Sequence, residues 1–248
     1  MSAPVSWQPR RTPGSWHYVS SASTVVSLET DTLAKQVPVV SRVVYQLTAT
    51  GTASPFAVSG TIDSVLVSTG GKVAPAPGKH PYAAFTGTLA PDGSLGPLSG
   101  SEPPRCPKGV DPLVAGARTL FIPTPGVLSK GSSWQDTVTT VTCRGDVPIN
   151  GTTTHRYTVI SDTTWQGKPA LVISRTSEML VQSDTTTPAT HTLDISGSGT
   201  GTARLLIDPA TAMLYQEIGQ SSARLIIGTA RSKVPFRQEV ADTVELRP

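Results

Sequence analysis

Aromatic and charged residues are scarce in this chain, and their scarcity restricts the partners it can have. Aromatics make up 5% and charged residues 15% of the 248 positions. Basic residues exceed acidic ones by only three, 20 against 17, and they are scattered, with Arg10 and Arg11 as the nearest approach to a cluster. A nucleic-acid surface needs a concentrated basic stripe, preferably with exposed aromatics for stacking. We therefore expect no nucleic acid as a partner.

Long apolar runs are also missing. None approaches the roughly 18 residues that a membrane-spanning helix requires, so we expect no transmembrane segment and at most a peripheral association with a membrane. The N-terminal residues contain no apolar stretch followed by a small-residue cleavage site, so no signal peptide is expected in this chain.

Cysteine occurs only twice, at Cys106 and Cys143. Neither belongs to a C-x-x-C pair, and no histidine has the spacing that would complete a zinc site. We favour one disulfide between Cys106 and Cys143, which indicates an oxidising compartment. Two separate buried thiols in a reducing cytoplasm are the alternative.

The signatures of common enzyme classes are absent. In the segment 96–100, which approaches the G-x-S-x-G pattern, the serine stands one position late and Pro97 obstructs the required turn. Four histidines lie too far apart for a metal-binding helix: His17, His80, His155 and His191. We therefore expect no enzyme, no metal and no cofactor. A hydrolase whose histidine meets a serine or aspartate only in the folded chain stays open.

Glycines at positions 197, 199 and 201 resemble a phosphate loop only superficially. Their spacing is not G-x-G-x-x-G, and Leu205 to Ile207 continue as a strand rather than a helix. Glycine inside a strand indicates a bulge, a bend or a close contact within the sheet. We predict that these three glycines serve the geometry of the sheet.

What the chain has in abundance is glycine and proline, 22 of each, between Val- and Thr-rich runs. The runs predict strands, and Asn150 with Gly151 predicts a hairpin turn. Residues 212–218 and 222–229 are predicted as separate strands. After Asp111, which has the character of an N-cap, apolar residues at helical spacing allow one short helix, although a loop is the plainer interpretation.

These patterns predict an all-β fold of two antiparallel meanders, wrapped into a partly open barrel or two curved packed sheets, with at most one short helix. We expect an extended Pro-rich arm at 1–15, a first β half at 16–98, a Pro/Gly-rich crossing at 99–131 and a second β half at 132–248. Trp16 and Trp134 each introduce one half, which favours a role as core anchors.

The arm contains the residues that we predict to bind a partner: Trp7, Arg10 and Arg11. An aromatic side chain in an extended Pro-rich segment is a natural anchor for a pocket on another protein. Docking of the arm on its own domain is the alternative.

The second half resembles an uncharacterised family of exported, often lipid-anchored bacterial β proteins. The segments that carry the resemblance are 131–134, 157–159, 165–173 and 197–208. It implies a fold and a location in the cell envelope, and it brings no catalytic residues. The chain differs from the family in lacking an N-terminal cysteine for lipid attachment.

We therefore expect a non-catalytic protein of the periplasm or of an extracytoplasmic membrane surface. The absence of a catalytic constellation and the aromatic-bearing arm favour an accessory or scaffolding subunit, whose partners are protein subunits of a membrane complex of respiratory or photosynthetic type. The alternative is a carrier whose curved sheets enclose an apolar ligand. A hydrolase with an unrecognised site comes third.

Overall fold

The structure is a computed structural model that describes residues 5–29, 38–70, 72–75, 83–100, 109–144, 147–183, 194–229 and 232–247. For Cys143, Arg144 and Thr229 it describes the backbone alone. No helix among the described residues is long and apolar enough to cross a membrane.

Strands dominate the described residues. The first six are β1 (Ser6–Trp7), β2 (Gly14–Leu28), β3 (Val39–Thr50), β4 (Phe56–Thr69), β5 (Lys72–Pro75) and β6 (Ala83–Leu89). The short helix α1 (Pro112–Gly116) and a 3-10 helix (Ala117–Leu120) follow. The remaining strands are β7 (Leu128–Ser129), β8 (Ser133–Arg144), β9 (Val147–Trp165), β10 (Lys168–Ser183), β11 (Asp194–Ile207), β12 (Leu214–Thr229) and β13 (Ser232–Arg247).

One antiparallel sheet of eleven strands contains both predicted halves. Its order is β5, β4, β3, β2, β13, β12, β11, β10, β9, β8, and β6 pairs with β4 on the same side as β5. The two halves meet where β13 pairs with β2, from Phe236 opposite Leu28 to Arg247 opposite His17. Within the described residues β8 does not pair with β4, β5 or β6, so the sheet is not closed into a barrel. The prediction of an all-β fold with at most one short helix is confirmed.

Several strands are longer than the sequence predicts. The hairpin prediction at Asn150 and Gly151 is wrong, because Asn150 lies within β9 and pairs with Val141 on one side and Gln182 on the other. Pairing of β9 with β8 on one side and β10 on the other outweighs the local turn preference of this dipeptide. Likewise, β12 is continuous from Leu214 to Thr229, where two separate strands were predicted.

The main core lies on one face of the sheet, here called the core face, and at one end of it. A smaller, separate cluster contains Trp165, Ala170, Val172, Leu206 and Tyr215. The core face is the one on which Leu171 and Ile173 of β10 are fully buried. Other large side chains buried in the same cluster are Tyr18, Leu47, Ile62, Phe85, Leu89, Leu120, Ile122, Leu128, Leu205 and Ile207. They come from strands near both ends of the strand order and from the segment 109–132, so the sheet curves around that segment.

Capping and two side-chain bonds fix the crossing segment against the sheet. The carboxylate of Asp111 accepts a hydrogen bond from the backbone N–H of Leu113 at 2.8 Å, which caps α1 as expected. The hydroxyl of Tyr45 donates to the carbonyl oxygen of Leu113 at 3.0 Å. The indole N–H of Trp134 donates to the carbonyl oxygen of Pro123 at 2.6 Å, and its ring stacks on Tyr157. Trp134 thus anchors the core edge as predicted.

The glycines of β11 permit a close approach of β12. A Cβ atom on Gly199 would lie 2.8 Å from the carbonyl oxygen of Ser222 and 2.9 Å from the Cβ atom of Ala223. Gly197 and Gly201 face β12 in the same way. The prediction that these glycines serve a close contact within the sheet is confirmed, and no helix N-terminus follows them.

Candidate functional site

The residues predicted to bind a partner lie against their own domain, with one exception. Trp7 pairs with Leu128 of β7, and its half-buried ring packs against the main core. Arg11 is only 8% exposed and donates through Nη1 to the carbonyl oxygen of Ala212 at 2.9 Å. Burial lowers the pKa of Arg11 to about 10. Arg10 alone of the three is exposed. A partner-binding role for them stays a prediction, and the contacts that the structure shows for Trp7 and Arg11 lie within the chain.

The predicted disulfide lies outside the described residues. Cys106 belongs to a segment that the structure does not describe, and for Cys143 only the backbone in β8 is described. The pairing of the two cysteines therefore stays a prediction.

A group of polar and ionisable side chains interrupts the core face just beyond the packed core. These residues, called the polar belt below, are Asp136 in β8, His155 in β9, Arg175 and Ser177 in β10, Glu217 in β12 and Asp242 in β13. Cross-strand pairing brings them together, since Ser177 lies opposite His155, and His155 lies opposite Asp136. In the next row, Arg175 and Asp242 occupy the same face, separated by the small residues Ala203 and Gly219.

Arg175 and Glu217 form a buried ion pair at the centre of the polar belt. Their side chains are 12% and 3% exposed, and both terminal nitrogens of the guanidinium donate to the carboxylate. Nε of Arg175 is also buried and has no hydrogen-bond partner among the described residues. Buried polar groups are nearly always hydrogen-bonded, so this free donor requires an explanation.

Burial controls the ionisation of the polar belt. It raises the pKa of Glu217 and of Asp242, and the nearby Arg175 only partly opposes that effect. Burial also raises the pKa of Asp136. For His155, burial and the positive charge of Arg175 lower the pKa to about 4, so the imidazole is neutral near pH 7. Burial thus favours the uncharged forms of these four side chains. Arg175 differs, because burial opposes its charge but the carboxylate of Glu217 outweighs burial and raises its pKa.

His155 and Ser177 form a hydrogen-bonded pair, with Nδ1 2.8 Å from Oγ. A histidine within reach of a serine in a cleft is the geometry that would identify an unrecognised hydrolase. However, among the described side chains no carboxylate oxygen lies within 4.0 Å of a ring nitrogen of His155, and a pKa of about 4 makes the imidazole a weak base near neutral pH. These features favour a hydrogen-bonding role for the pair.

Two cavities meet at Arg175. One, of about 380 Å³, lies between the crossing segment and the core face, and Arg118, Phe121, Asp136 and His155 contribute to its walls. The other, of about 180 Å³, lies beside Ser177, Met179 and the glycines of β11. Together they give the polar belt a partly open space of the size that small-molecule sites have, roughly 300–1,000 Å³.

Beyond the polar belt the core face becomes apolar again. One cross-strand row, called the apolar row below, runs through Val181, Leu225, Phe236 and Leu28, with Gly197 between the first two. The first three residues of the row are half-buried, and Leu28 is 37% exposed. Neither hydrophobic core cluster of the described residues includes any of the four. Met179 lies on the same face between this row and the polar belt.

The part of the chain that the structure describes contains no group of three or more histidine, cysteine, aspartate or glutamate side chains arranged to hold a metal ion. The contacts that the structure shows within the polar belt are hydrogen bonds and one ion pair.

Sequence reasoning missed the polar belt, although a signal was present. In β10, Arg175 and Ser177 stand at the same alternate positions as Leu171 and Ile173, and side chains two residues apart in a strand share a face. A charged residue in the register of core residues marks a buried polar site. The neighbours that complete the site come from four other strands, and only the folded sheet brings them together.

Comparison with known proteins gives no family for this chain. No protein-family model matches it, and no curated protein matches it significantly.

Proposed function

We propose that the protein binds and carries an apolar or amphiphilic small molecule on the core face of its sheet. The observation that supports this proposal is the continuation of that face as an apolar surface beyond the packed core, in the apolar row. Side chains that serve only to fill a core belong to its packed cluster, whereas a partly exposed apolar patch bordered by polar residues is typical of a binding site.

The strand alternation supports the same conclusion. In the C-terminal part of β10, Met179 and Val181 on the core face are half-buried, while Glu178 and Gln182 on the outer face are exposed. The outer face of this region is mainly polar, as expected for a solvated surface. Apolar residues are thus maintained on the face that leads to the two cavities.

This proposal corresponds to the alternative that the sequence favoured less. The accessory-subunit hypothesis depends in part on the arm, and Trp7 and Arg11 of the arm make their contacts within the chain. A scaffolding role in a membrane complex, a periplasmic or other extracytoplasmic location and the absence of enzymatic activity all stay predictions.

Two neighbouring residues of β10 provide a matched test. Val181 is half-buried on the core face, whereas Leu180 is 65% exposed on the outer face. We expect the uncharged fluorescent probe N-phenyl-1-naphthylamine to bind the wild-type protein with a defined stoichiometry. Val181→Asp should weaken this binding at least about tenfold, because it places a carboxylate in the apolar site. Leu180→Asp should leave the binding unchanged.

The same protein, purified under gentle conditions, should show the added mass of a bound small molecule in native mass spectrometry. Circular dichroism of both variants checks that they are folded at the assay temperature. Absence of stoichiometric probe binding to the wild type, or equal weakening by the two substitutions, would refute the proposal.

A further inference from the structure

Exposed apolar side chains gather at the end of the sheet that lies away from the main core. Strands β2 and β4 end there, and β3 and β5 begin there. Five exposed side chains at this end, called the apolar tip below, are Val26 and Leu28 in β2, Val39 and Val40 in β3, and Val73 in β5. Strand pairing brings them together, since Val40 and Val73 both lie opposite Ser68 of β4. A group of exposed apolar side chains of this kind indicates a surface that meets an apolar partner.

At the apolar tip both faces of the sheet carry apolar side chains. Val39 lies on the core face, whereas its neighbour Val40 and Val73 lie on the outer face. Farther along β3, the outer face carries the exposed side chains of Arg42 and Gln46, as expected for a solvated surface. The change of composition at the tip indicates an apolar environment that surrounds this end of the sheet, rather than one that covers a single face.

The charges at this end of the sheet favour an anionic surface as the partner. The carboxylates of Glu29 and Asp194 are paired with Arg224 and Lys233, at 2.8 and 3.3 Å. Lys72, the first residue of β5, is exposed and forms no ion pair with a carboxylate among the described residues. A lysine beside exposed apolar side chains is suited to the surface of a membrane that contains anionic lipids.

The apolar row extends to the apolar tip. The row crosses the sheet from Val181 through Leu225 and Phe236 to Leu28, and Leu28 also belongs to the tip. A ligand with a hydrocarbon chain favours a bilayer over water, so a protein that carries it exchanges it with a membrane. A bilayer at the tip lies beside the end of the row, whereas a second protein chain docked there would cover that end.

We propose that the apolar tip docks on a lipid bilayer with anionic headgroups, and that the ligand passes between this bilayer and the apolar row at Leu28. The valine and leucine side chains of the tip enter the boundary between headgroups and acyl chains, and Lys72 lies at the level of the headgroups. The transfer of ligand rests on the proposed function, whereas docking on the bilayer is measured separately.

Flotation with vesicles made of equal parts of phosphatidylcholine and phosphatidylglycerol tests the docking. We expect the wild-type protein to float with them. Val40→Asp should weaken this binding at least about tenfold, because it places a carboxylate at the anionic surface. Val127→Asp is the matched control and should bind as the wild type does, since Val127, 53% exposed, precedes β7 beside the main core, whereas Val40, 42% exposed, lies in the tip. Circular dichroism checks that both variants are folded.

Binding of N-phenyl-1-naphthylamine separates docking from ligand binding. Val40→Asp should keep the probe affinity of the wild type, because Val40 lies on the outer face and outside the apolar row. Absence of flotation of the wild type, or equal weakening by Val40→Asp and Val127→Asp, overturns the inference and leaves the proposed function standing. A wild-type dimer in light scattering that Val40→Asp dissociates also overturns it, because the tip is then an interface between two copies. Failure of the probe to bind refutes the proposed function and the transfer of ligand, while flotation still decides the docking.

The contribution of Lys72 is tested with the same vesicles. Lys72→Gln should weaken binding to the anionic vesicles about fivefold and leave binding to vesicles of phosphatidylcholine alone unchanged. Lys168→Gln, at an exposed lysine that begins β10 at the opposite end of the sheet, is the control and should bind both kinds of vesicle as the wild type does. Equal weakening by the two substitutions would contradict the placement of Lys72 at the headgroups.

Discussion

Arg11 donates a hydrogen bond through Nη1 to the carbonyl oxygen of Ala212, 2.9 Å away and 201 positions later in the chain. Nη2 donates to the carbonyl oxygen of Ile122 in the crossing segment. One buried side chain thus links the N-terminal arm, the crossing segment and the turn between β11 and β12. Gly93, at φ +87°, leaves the space that this guanidinium fills.

Replacement of Arg11 by methionine should therefore destabilise the fold. The substitution leaves two buried carbonyl oxygens without their donor, and we expect the free energy of unfolding to fall by about 2–4 kcal/mol. Urea denaturation followed by circular dichroism measures the change. Arg10→Met is the matched control, because the exposed Arg10 makes its hydrogen bond to the carbonyl oxygen of Ala210 through the backbone N–H alone. Equal stability of the two variants would show that the Arg11 contacts contribute nothing.

The closeness of β11 and β12 gives a second prediction. Gly199→Ala places a Cβ atom 2.8 Å from the carbonyl oxygen of Ser222, and the backbone of β12 must move to accept it. We expect a loss of about 1–3 kcal/mol in the free energy of unfolding. Gly126→Ala is the control, because nothing lies within 4 Å of its new methyl group. Its free energy of unfolding should be unchanged or rise by up to about 1 kcal/mol. A neutral Gly199→Ala would disprove the close approach.

Local sequence patterns predicted the fold class and allowed the crossing helix, where a loop was the plainer interpretation, because those features depend on nearby residues. The alternation of Val43, Tyr45 and Leu47 in β3 and the capping side chain of Asp111 act within a few positions. The pairing of β2 with β13 and the burial of Arg11 could not be predicted, because both depend on contacts between residues about 200 positions apart. The hairpin at Asn150 was mispredicted because strand partners on both sides, Val141 and Gln182, override the turn preference of the dipeptide.

Removing one partner of the buried ion pair should lower the free energy of unfolding more than removing both partners. Glu217→Gln leaves the charge of Arg175 in a buried place without its carboxylate, and we expect a loss of about 3–5 kcal/mol. The double variant Arg175→Met with Glu217→Met should recover most of that loss, because two buried charges disappear together. Urea titrations of the single and double variants measure the difference.

An exposed pair serves as the control for this comparison. Arg156 and Glu178 form an ion pair on the outer face, with side chains 55% and 62% exposed. Glu178→Gln should cost less than about 1 kcal/mol, because solvent screens the pair. A double variant at 175 and 217 that is as unstable as Glu217→Gln would contradict the burial argument.

His155 should make the stability of the fold depend on pH. Its pKa is lowered from 6.5 to about 4 in the folded protein, so between these values the unfolded chain binds a proton that the folded protein does not. The contribution of His155 to stability is therefore complete above pH 6.5 and is lost progressively as the pH falls towards 4. Asp136, Glu217 and Asp242, whose pKa values are raised by burial, act in the opposite direction, because their protonation favours the folded state.

Comparison of the wild type with His155→Gln isolates the histidine from these carboxyl groups. The glutamine side chain retains a hydrogen-bonding group near Ser177 but does not titrate. We expect the urea midpoint of the wild type to fall more steeply between pH 6.5 and 4 than that of His155→Gln, with the two curves parallel above pH 7. His17→Gln, at an exposed position of β2, should behave as the wild type does. Parallel curves throughout for wild type and His155→Gln would mean that the imidazole of His155 is protonated as readily in the folded protein as in the unfolded chain.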